Sequence, residues 1–216
     1  VYNKYLEFKK NKIFIKEDTP SLYIYEISEN HHSFCGIIGA TAIEDYTNGL
    51  IKKHEGTIEK RVQLFENYLK TVCFHAEPVL LTFEDDTRLD SLINEEKKKR
   101  PEYEFSTTDK KLHQLWLLQD SFVIKKIETL FRTKNLYIAD GHHRAASSAL
   151  LKKKLQEKNK DHKGIENYNY FMSYMVPESN LKISEFNRFV KDLNGLSEST
   201  FLAKLNEIFK IENKGS

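Results

Sequence analysis

The sequence predicts an α+β fold in which a mixed or antiparallel sheet is flanked by helices. Segments rich in β-forming residues come in hairpin-like pairs, as at residues 21–27 and 34–43. Helical segments, with apolar residues repeating at 3.6-residue spacing, interrupt these pairs and do not alternate one by one with strands. Strict βαβ alternation would indicate a doubly wound parallel sheet, so this order favours α+β.

The first part of the chain contains a short helix, the hairpin, a turn and an amphipathic helix. Residues 1–12 have the pattern of the end of a helix, and Asn48-Gly49 marks a turn after the hairpin. Residues 58–72 carry one apolar stripe at helical spacing. We expect Thr57 to be the N-cap of this helix, because a hydroxyl before the first turn can accept an otherwise unpaired backbone N–H.

The second part continues the mixed pattern. Residues 78–83 are predicted to be a buried strand, and residues 89–99 a polar, exposed helix. Residues 103–107 and 112–118 are predicted to pair, with Trp116 in the core. Asp120 is the expected N-cap of the next helix, and an aromatic-rich strand is predicted at 168–176, stopped by Pro177. Ser197 or Ser199 is expected to cap the last helix. The residues of that helix predicted to face inward are Leu202, Leu205, Ile208 and Phe209.

Length and composition limit the class of protein. The 216 residues are enough for one domain with a sizeable core, and the net charge of +2 does not indicate a nucleic-acid partner. No apolar run approaches the ~20 residues that span a bilayer, and no signal-peptide pattern opens the chain. Cys35 and Cys73 lie in apolar stretches without a partner at metal or redox spacing. We therefore expect a cytoplasmic protein with reduced, buried cysteines and no membrane contact.

The domain organisation is expected to be simple. A single α+β domain is predicted over residues 1–216, with residues 168–216 as the candidate start of a C-terminal subdomain. The first residue is Val1 and not Met, so we expect the chain to be a piece of a longer protein.

Residues 136–150 carry the strongest chemical signal in the chain. Four apolar residues end in Asp140-Gly141, and His142, His143 and Arg144 then open a helix of small residues. A helix N-terminus has unpaired N–H groups and binds anions, and glycine there lets a ligand approach the backbone. Arginine can grip a phosphate through two N–H groups, and the aspartate can hold a metal ion or accept a proton. The run therefore predicts a phosphate site.

The plainer interpretation is an Asp-Gly turn followed by surface histidines, but four polar groups converging where a strand meets a helix favour a functional site. Adjacent histidines point about 100° apart on a helix, so His142 and His143 are not expected to share one metal ion. His54 and Glu55 also stand just before a helix N-terminus, and composition alone does not separate a functional pair from a charged loop. The chain lacks the glycine patterns of Rossmann and P-loop nucleotide sites.

Residues 136–144 closely resemble the signature of the domain-of-unknown-function 1015 family. The Asp-Gly-x-His-Arg pattern is also similar to that of the ParB/sulfiredoxin superfamily, whose members bind nucleotide phosphates at a loop-to-helix turn and include free-serine kinases. The resemblance implies a ParB/sulfiredoxin-like phosphate-binding core. Further stretches match the first family in the same order: residues 22–25, 36–40, 44–46, 51–57 and 168–172.

The resemblance also implies roles for individual residues. It implies Mg²⁺ or substrate-hydroxyl contact at Asp140, and it makes Glu55, with His54, the candidate acid or base on the substrate side. Thr57 and Arg188 are possible additional members of the site. Phosphate contacts are implied for Gly141, His142, His143 and Arg144.

Two functional hypotheses follow from the sequence and the resemblance. The first is a Mg²⁺-dependent phosphotransferase acting on a small hydroxylated metabolite, with free L-serine as the best guess and pyrophosphate, ADP or ATP as donor. Phosphoryl transfer needs positioning and charge neutralisation, which an anion site, an arginine and a carboxylate supply. The second is a non-catalytic nucleotide- or phosphate-binding regulatory module. DNA binding, by analogy with partition proteins, is disfavoured by the lack of a basic stripe and of a helix-turn-helix pattern.

Overall fold

The computed structural model of the chain describes residues 2–29, 32–183 and 189–212. Within these residues an eight-stranded mixed sheet and seven α-helices confirm the predicted α+β class. The strands are β1 (Leu22–Glu29), β2 (His32–Ala42), β3 (Ile51–Lys52), β4 (Val79–Phe83), β5 (Tyr103–Ser106), β6 (Leu112–Leu118), β7 (Leu136–Asp140) and β8 (Tyr170–Pro177). The helices are α1 (Tyr2–Lys10), α2 (Ile43–Thr47), α3 (Glu59–Val72), α4 (Thr87–Lys97), α5 (Ser121–Phe131), α6 (His142–Lys158) and α7 (Glu198–Asn206).

The strand order across the sheet is β3-β7-β4-β8-β2-β1-β6-β5. Both predicted hairpins are confirmed, because β1 pairs antiparallel with β2 and β5 pairs antiparallel with β6. At the other end of the sheet, β3 runs parallel to β7 and β4 runs parallel to β8. This end combines parallel and antiparallel neighbours, so it gives the sheet its mixed character.

The helices pack in pairs, α3 with α6 and α4 with α5. Trp116 lies in the core as predicted and is 5% exposed, and its indole N–H donates to the backbone oxygen of Lys99. The helix predicted at residues 89–99 is present as α4, but the prediction that it is exposed is wrong. Leu89 and Ile93 of α4 are buried in the same core. The apolar positions of α4 are few, but they lie four residues apart and therefore share one face.

Three local predictions are also wrong. The N-cap of α3 is Ile58 and not Thr57, and no side chain of the described residues caps this helix. Cys73 is exposed, because it ends α3 in a left-handed conformation at φ +60°. Residues 43–47 form α2 where the hairpin strand was expected to continue to Ile43, and this change of direction buries Ile43 and Tyr46 in the core.

The chain divides into two compact units, Val1–Leu181 and Lys182–Ser216. The first unit contains the whole sheet and its core. In the second unit, Ser197 caps α7 as predicted by accepting from the Thr200 N–H at 3.2 Å. Leu202, Ile208 and Phe209 were expected to face inward, but all three are exposed, and the last two follow the end of α7. None of the helices in the described parts of the chain is long and apolar enough to cross a bilayer.

Candidate functional site

The parallel pairing of β3 with β7 brings the two polar motifs together. Ile51 is opposite Leu136 and Lys52 is opposite Tyr137, so the carboxyl ends of both strands point the same way. After β3 the chain runs through residues 53–58 into α3, and after β7 it turns at Gly141 into α6. In sheets with parallel strands, ligands commonly bind in the crevice beyond the carboxyl ends. The two helix N-termini and the loops before them form such a place.

The turn into α6 depends on a glycine. Gly141 is the N-cap with φ +99°, and a Cβ there would lie 3.0 Å from Arg144 Nη1 and 3.4 Å from the Cα of Val79. The first helical hydrogen bond runs from the Ala145 N–H to the Gly141 oxygen at 3.0 Å. No side chain among the described residues caps this end of α6. The first backbone N–H groups of the helix are therefore available to an anion, as at other uncapped N-termini.

Arg144 is held in place by three oxygen acceptors. Its Nη1 donates to the Pro78 oxygen at 3.0 Å and to Asp140 Oδ2 at 3.2 Å, and its Nη2 donates to Glu77 Oε2 at 2.5 Å. The Asp140 and Glu77 carboxylates are about 70% and 68% exposed, whereas the Arg144 side chain is 30% exposed. The guanidinium is thus fixed by one partly buried backbone contact and by two carboxylates that solvent and ligands can reach.

His142 forms the buried centre of a second group of side chains. It is 3% exposed, and its Nδ1 lies 3.2 Å from Glu55 Oε1. Burial, with a further contribution from neighbouring His54, lowers the pKa of His142 below its usual value. The low pKa favours a neutral ring, which keeps its Nδ1 in contact with the Glu55 carboxylate. Its Nε2 is then an acceptor, 3.5 Å from the His54 backbone nitrogen.

His143 connects the two helices. Its Nε2 accepts from the Ile58 N–H at 3.1 Å, and Ile58 is the N-cap of α3. This hydrogen bond is made to the N-cap residue itself and does not replace the capping bond expected from Thr57. The contact fixes the 53–58 loop against the first turn of α6, so His143 has a positioning role in this arrangement.

A family model described as Protein of unknown function (DUF1015) matches residues 1–216, the whole chain. The chain belongs to the DUF1015 family. Neither the comparison with curated proteins nor that with solved structures found a match.

In this DUF1015 chain, most of the residues singled out from the sequence lie around the N-terminus of α6, in two groups. His54, Glu55 and His142 form one group, and Asp140 with Arg144 forms the other. Thr57 lies in the connecting loop and is exposed, and Arg188 lies outside the residues that the structure describes.

Glu77 was missed by the sequence analysis although it holds Arg144. It precedes β4, whose antiparallel pairing with β7 puts the start of β4 beside Asp140. Only the strand order gives this proximity, and no local pattern around Glu77 indicates it.

A mostly apolar cavity of about 420 Å³ adjoins Arg144. Phe65 and Tyr68 of α3 line one side, and His75 and Glu77 of the loop before β4 line another. A small molecule bound at the α6 N-terminus can therefore extend into a sheltered space beside the guanidinium.

Proposed function

We propose that this DUF1015 chain is a Mg²⁺-dependent phosphotransferase that acts on a small hydroxylated metabolite, with free L-serine as the preferred acceptor. The observation that carries the proposal is the pairing of Glu55 Oε1 with His142 Nδ1, at 3.2 Å, on the first turn of α6. It brings a carboxylate that can accept a proton beside a helix N-terminus that can bind a phosphate.

The phosphate side of the proposed site consists of the first N–H groups of α6 and Arg144. Phosphate carries the charge and the several acceptor oxygens that suit both groups. The exposed carboxylates of Asp140 and Glu77 now satisfy the guanidinium. A bound phosphate would take over some of these hydrogen bonds, while the Pro78 contact keeps the arginine aimed at the helix start.

Glu55 is the proposed base for the acceptor hydroxyl. Its side chain is 54% exposed, so a substrate can reach it, and the buried His142 ring restricts one of its oxygens. In the proposed step the serine oxygen bonds to phosphorus as the bond to the leaving phosphate breaks, and the hydroxyl proton passes to Glu55. Pyrophosphate and an adenine nucleotide are both suitable donors, since each ends in a transferable phosphoryl group.

Asp140 fits Mg²⁺ in the way this ion is held in phosphate-transferring sites, by one or two carboxylates together with donor phosphates. Its carboxylate is exposed, and the Arg144 contact occupies Oδ2 only. Bound Mg²⁺ would neutralise charge on the transferred group. The turn into α6 also supports the proposal that the core is ParB/sulfiredoxin-like, since that superfamily binds phosphates at such a turn.

The test is formation of O-phosphoserine, measured by mass spectrometry. The chain is incubated with Mg²⁺ and L-serine, and with pyrophosphate, ADP or ATP in turn. Glu55→Gln should lower turnover about 10²-fold or more while leaving donor binding intact, because a general base contributes about 10²–10⁴-fold. The exposed Glu95 of α4 gives the matched control, and Glu95→Gln should turn over as wild type does.

Arg144→Ala should weaken donor binding by about tenfold or more, the equivalent of one charge-assisted hydrogen bond. Full turnover by Glu55→Gln would refute the catalytic assignment. Donor binding that depends on Arg144, without product from any donor, would instead support the regulatory phosphate-binding module.

A further inference from the structure

His54, Glu55 and His142 offer three metal-ligand atoms that all lie within 4.8 Å of one another. His142 Nδ1 and Glu55 Oε1 are 3.2 Å apart. The rings of His54 and His142 are perpendicular, with centroids 4.4 Å apart. Ligand atoms at ~2.0–2.1 Å from a tetrahedral metal ion are separated by roughly 3.3 Å, so His142 Nδ1 and Glu55 Oε1 already have the required spacing.

We propose that His54, Glu55 and His142 bind a divalent first-row transition-metal ion such as Zn²⁺. Two imidazoles and one carboxylate are a ligand set for zinc and its neighbours, whereas Mg²⁺ prefers oxygen ligands. This site is therefore separate in chemistry from the proposed magnesium position at Asp140. The inference does not require phosphotransferase activity.

Hydrogen bonding within the group leaves part of His142 poorly satisfied. Nδ1 has only a 3.2 Å contact with Glu55 Oε1, and Nε2 accepts from the His54 N–H at 3.5 Å, the outer limit for a hydrogen bond. A buried ring nitrogen normally has a full partner. A metal ion would use the unprotonated Nδ1 beside Glu55, and the ring proton would then lie on Nε2, at the cost of only this long hydrogen bond.

The backbone already positions the three residues. His142 is fixed by the first turn of α6 and by burial, and the His143–Ile58 hydrogen bond holds the loop that carries His54 and Glu55. The two loop side chains are exposed, so they can rotate to close the remaining distance without disturbing the core. Three protein ligands leave a further position for water or another ligand.

Occupation of this site has a consequence for Glu55. A metal ion bound to one oxygen of a carboxylate withdraws electron density from the whole group, so Glu55 would be a weaker base for the substrate hydroxyl. Zinc at this site should therefore inhibit the proposed phosphotransfer, even when Mg²⁺ is present in excess.

Metal binding is tested with Zn²⁺ and Co²⁺ alone on the chelator-treated chain. We expect one Zn²⁺ per chain after dialysis, measured by elemental analysis, and visible d–d absorption on addition of Co²⁺. His54→Ala and Glu55→Gln change exposed residues, and each should weaken Zn²⁺ binding by more than about tenfold. Circular dichroism checks that both variants remain folded.

The matched control is the His162–Glu166 pair, which has a similar 3.0 Å contact without a second histidine. His162→Gln should leave zinc stoichiometry and affinity unchanged. The inference is overturned if the wild type binds no stoichiometric Zn²⁺, or if His54→Ala binds it as tightly as wild type. Zinc binding, combined with no phosphoserine from the zinc-free chain in Mg²⁺, would contradict the proposed function alone. Product formation without zinc binding would contradict this inference alone.

Discussion

At the scale of single residues, Gly141 has the most demanding backbone conformation in the candidate site. Its φ of +99° lies outside the region that side-chain-bearing residues normally adopt. The sequence analysis predicted this turn correctly, because Asp-Gly at the end of an apolar run is a local signal that does not depend on the rest of the fold.

We expect Gly141→Ala to destabilise the chain by roughly 1–3 kcal/mol and to weaken phosphate binding. The backbone strain supplies part of the cost, and the new Cβ would press against Arg144 Nη1 and the Val79 backbone. Gly49→Ala is the control, since Gly49 also has positive φ but nothing within 4 Å of the added atom. Urea unfolding should show a smaller loss for Gly49→Ala, and the prediction fails if the two losses are equal.

Whether the other residue-level predictions could be made depended on whether their signal was local in the sequence. Asp120 caps α5 as expected, accepting from the Phe122 and Val123 N–H groups, because capping needs only a few neighbouring residues. The pairing of Glu55 with His142 spans 87 positions of the printed sequence and depends on the β3–β7 pairing. No local pattern contains such a contact, so the sequence left His54 and Glu55 undecided until the family resemblance was considered.

At the scale of elements, α3 and α6 are joined by an ion pair inside their interface. Glu66 of α3 is 2% exposed, and its Oε2 accepts from Lys154 Nζ of α6 at 2.8 Å. The sequence analysis predicted an apolar stripe for residues 58–72 and a helix of small residues after Arg144, and it did not predict a charged residue on the buried side. A buried carboxylate is tolerated when a partner and hydrogen bonds compensate its desolvation.

Lys154→Met should therefore destabilise the chain by roughly 2–4 kcal/mol, because it leaves the Glu66 carboxylate buried without its partner. The double variant Glu66→Met/Lys154→Met should recover most of that loss, since it removes the buried charge as well. Lys153→Met, one residue away and exposed, is the control. Urea unfolding of wild type, Glu66→Met, Lys154→Met and the double variant gives the coupling free energy between the two side chains, and losses that are simply additive would contradict the account.

Helix α4 begins at an acidic residue whose side chain is only 7% exposed. Asp86 is the N-cap, with Oδ1 accepting from the Arg88 N–H, and Lys134 Nζ lies 2.9 Å from Oδ2. Hydrogen bonds from Arg88 and then Lys134 hold the pKa of Asp86 well below its usual range. The carboxylate fixes the start of α4 to the segment before β7.

This pairing should make Asp86 a source of pH-dependent stability. Because folding lowers the pKa of Asp86, the carboxylate adds to the free energy of unfolding at pH values above its unfolded pKa of about 3.9. This contribution decreases below that pH and is lost as the pH falls through the lower pKa of the folded state. Asp86→Ala should cost roughly 1–3 kcal/mol at pH 6 and progressively less towards pH 3. Urea unfolding at both pH values checks this, with exposed Asp161→Ala as control. A cost that does not change with pH would contradict the prediction.

At the scale of the whole molecule, the sequence predicted the fold class and most elements but not the strand order. Hairpins such as β1–β2 connect neighbours along the chain, and their turns are visible in the sequence. The two-residue strand β3 is too short to give a periodic signal, and its parallel partner β7 comes 84 residues later in the printed sequence. The candidate site depends on that pairing, so only the structure brings its residues into contact.

The central claim, a phosphate site at the N-terminus of α6, is tested most directly by NMR. Pyrophosphate with Mg²⁺ is titrated into the isotope-labelled, assigned chain, and backbone amide shifts are followed. The account predicts saturable shifts centred on the His142, His143 and Arg144 amides, strongly weakened in Arg144→Ala. The account is contradicted if the amide shifts of these three residues do not change during the titration. This holds whether pyrophosphate binds elsewhere on the chain or does not bind at all.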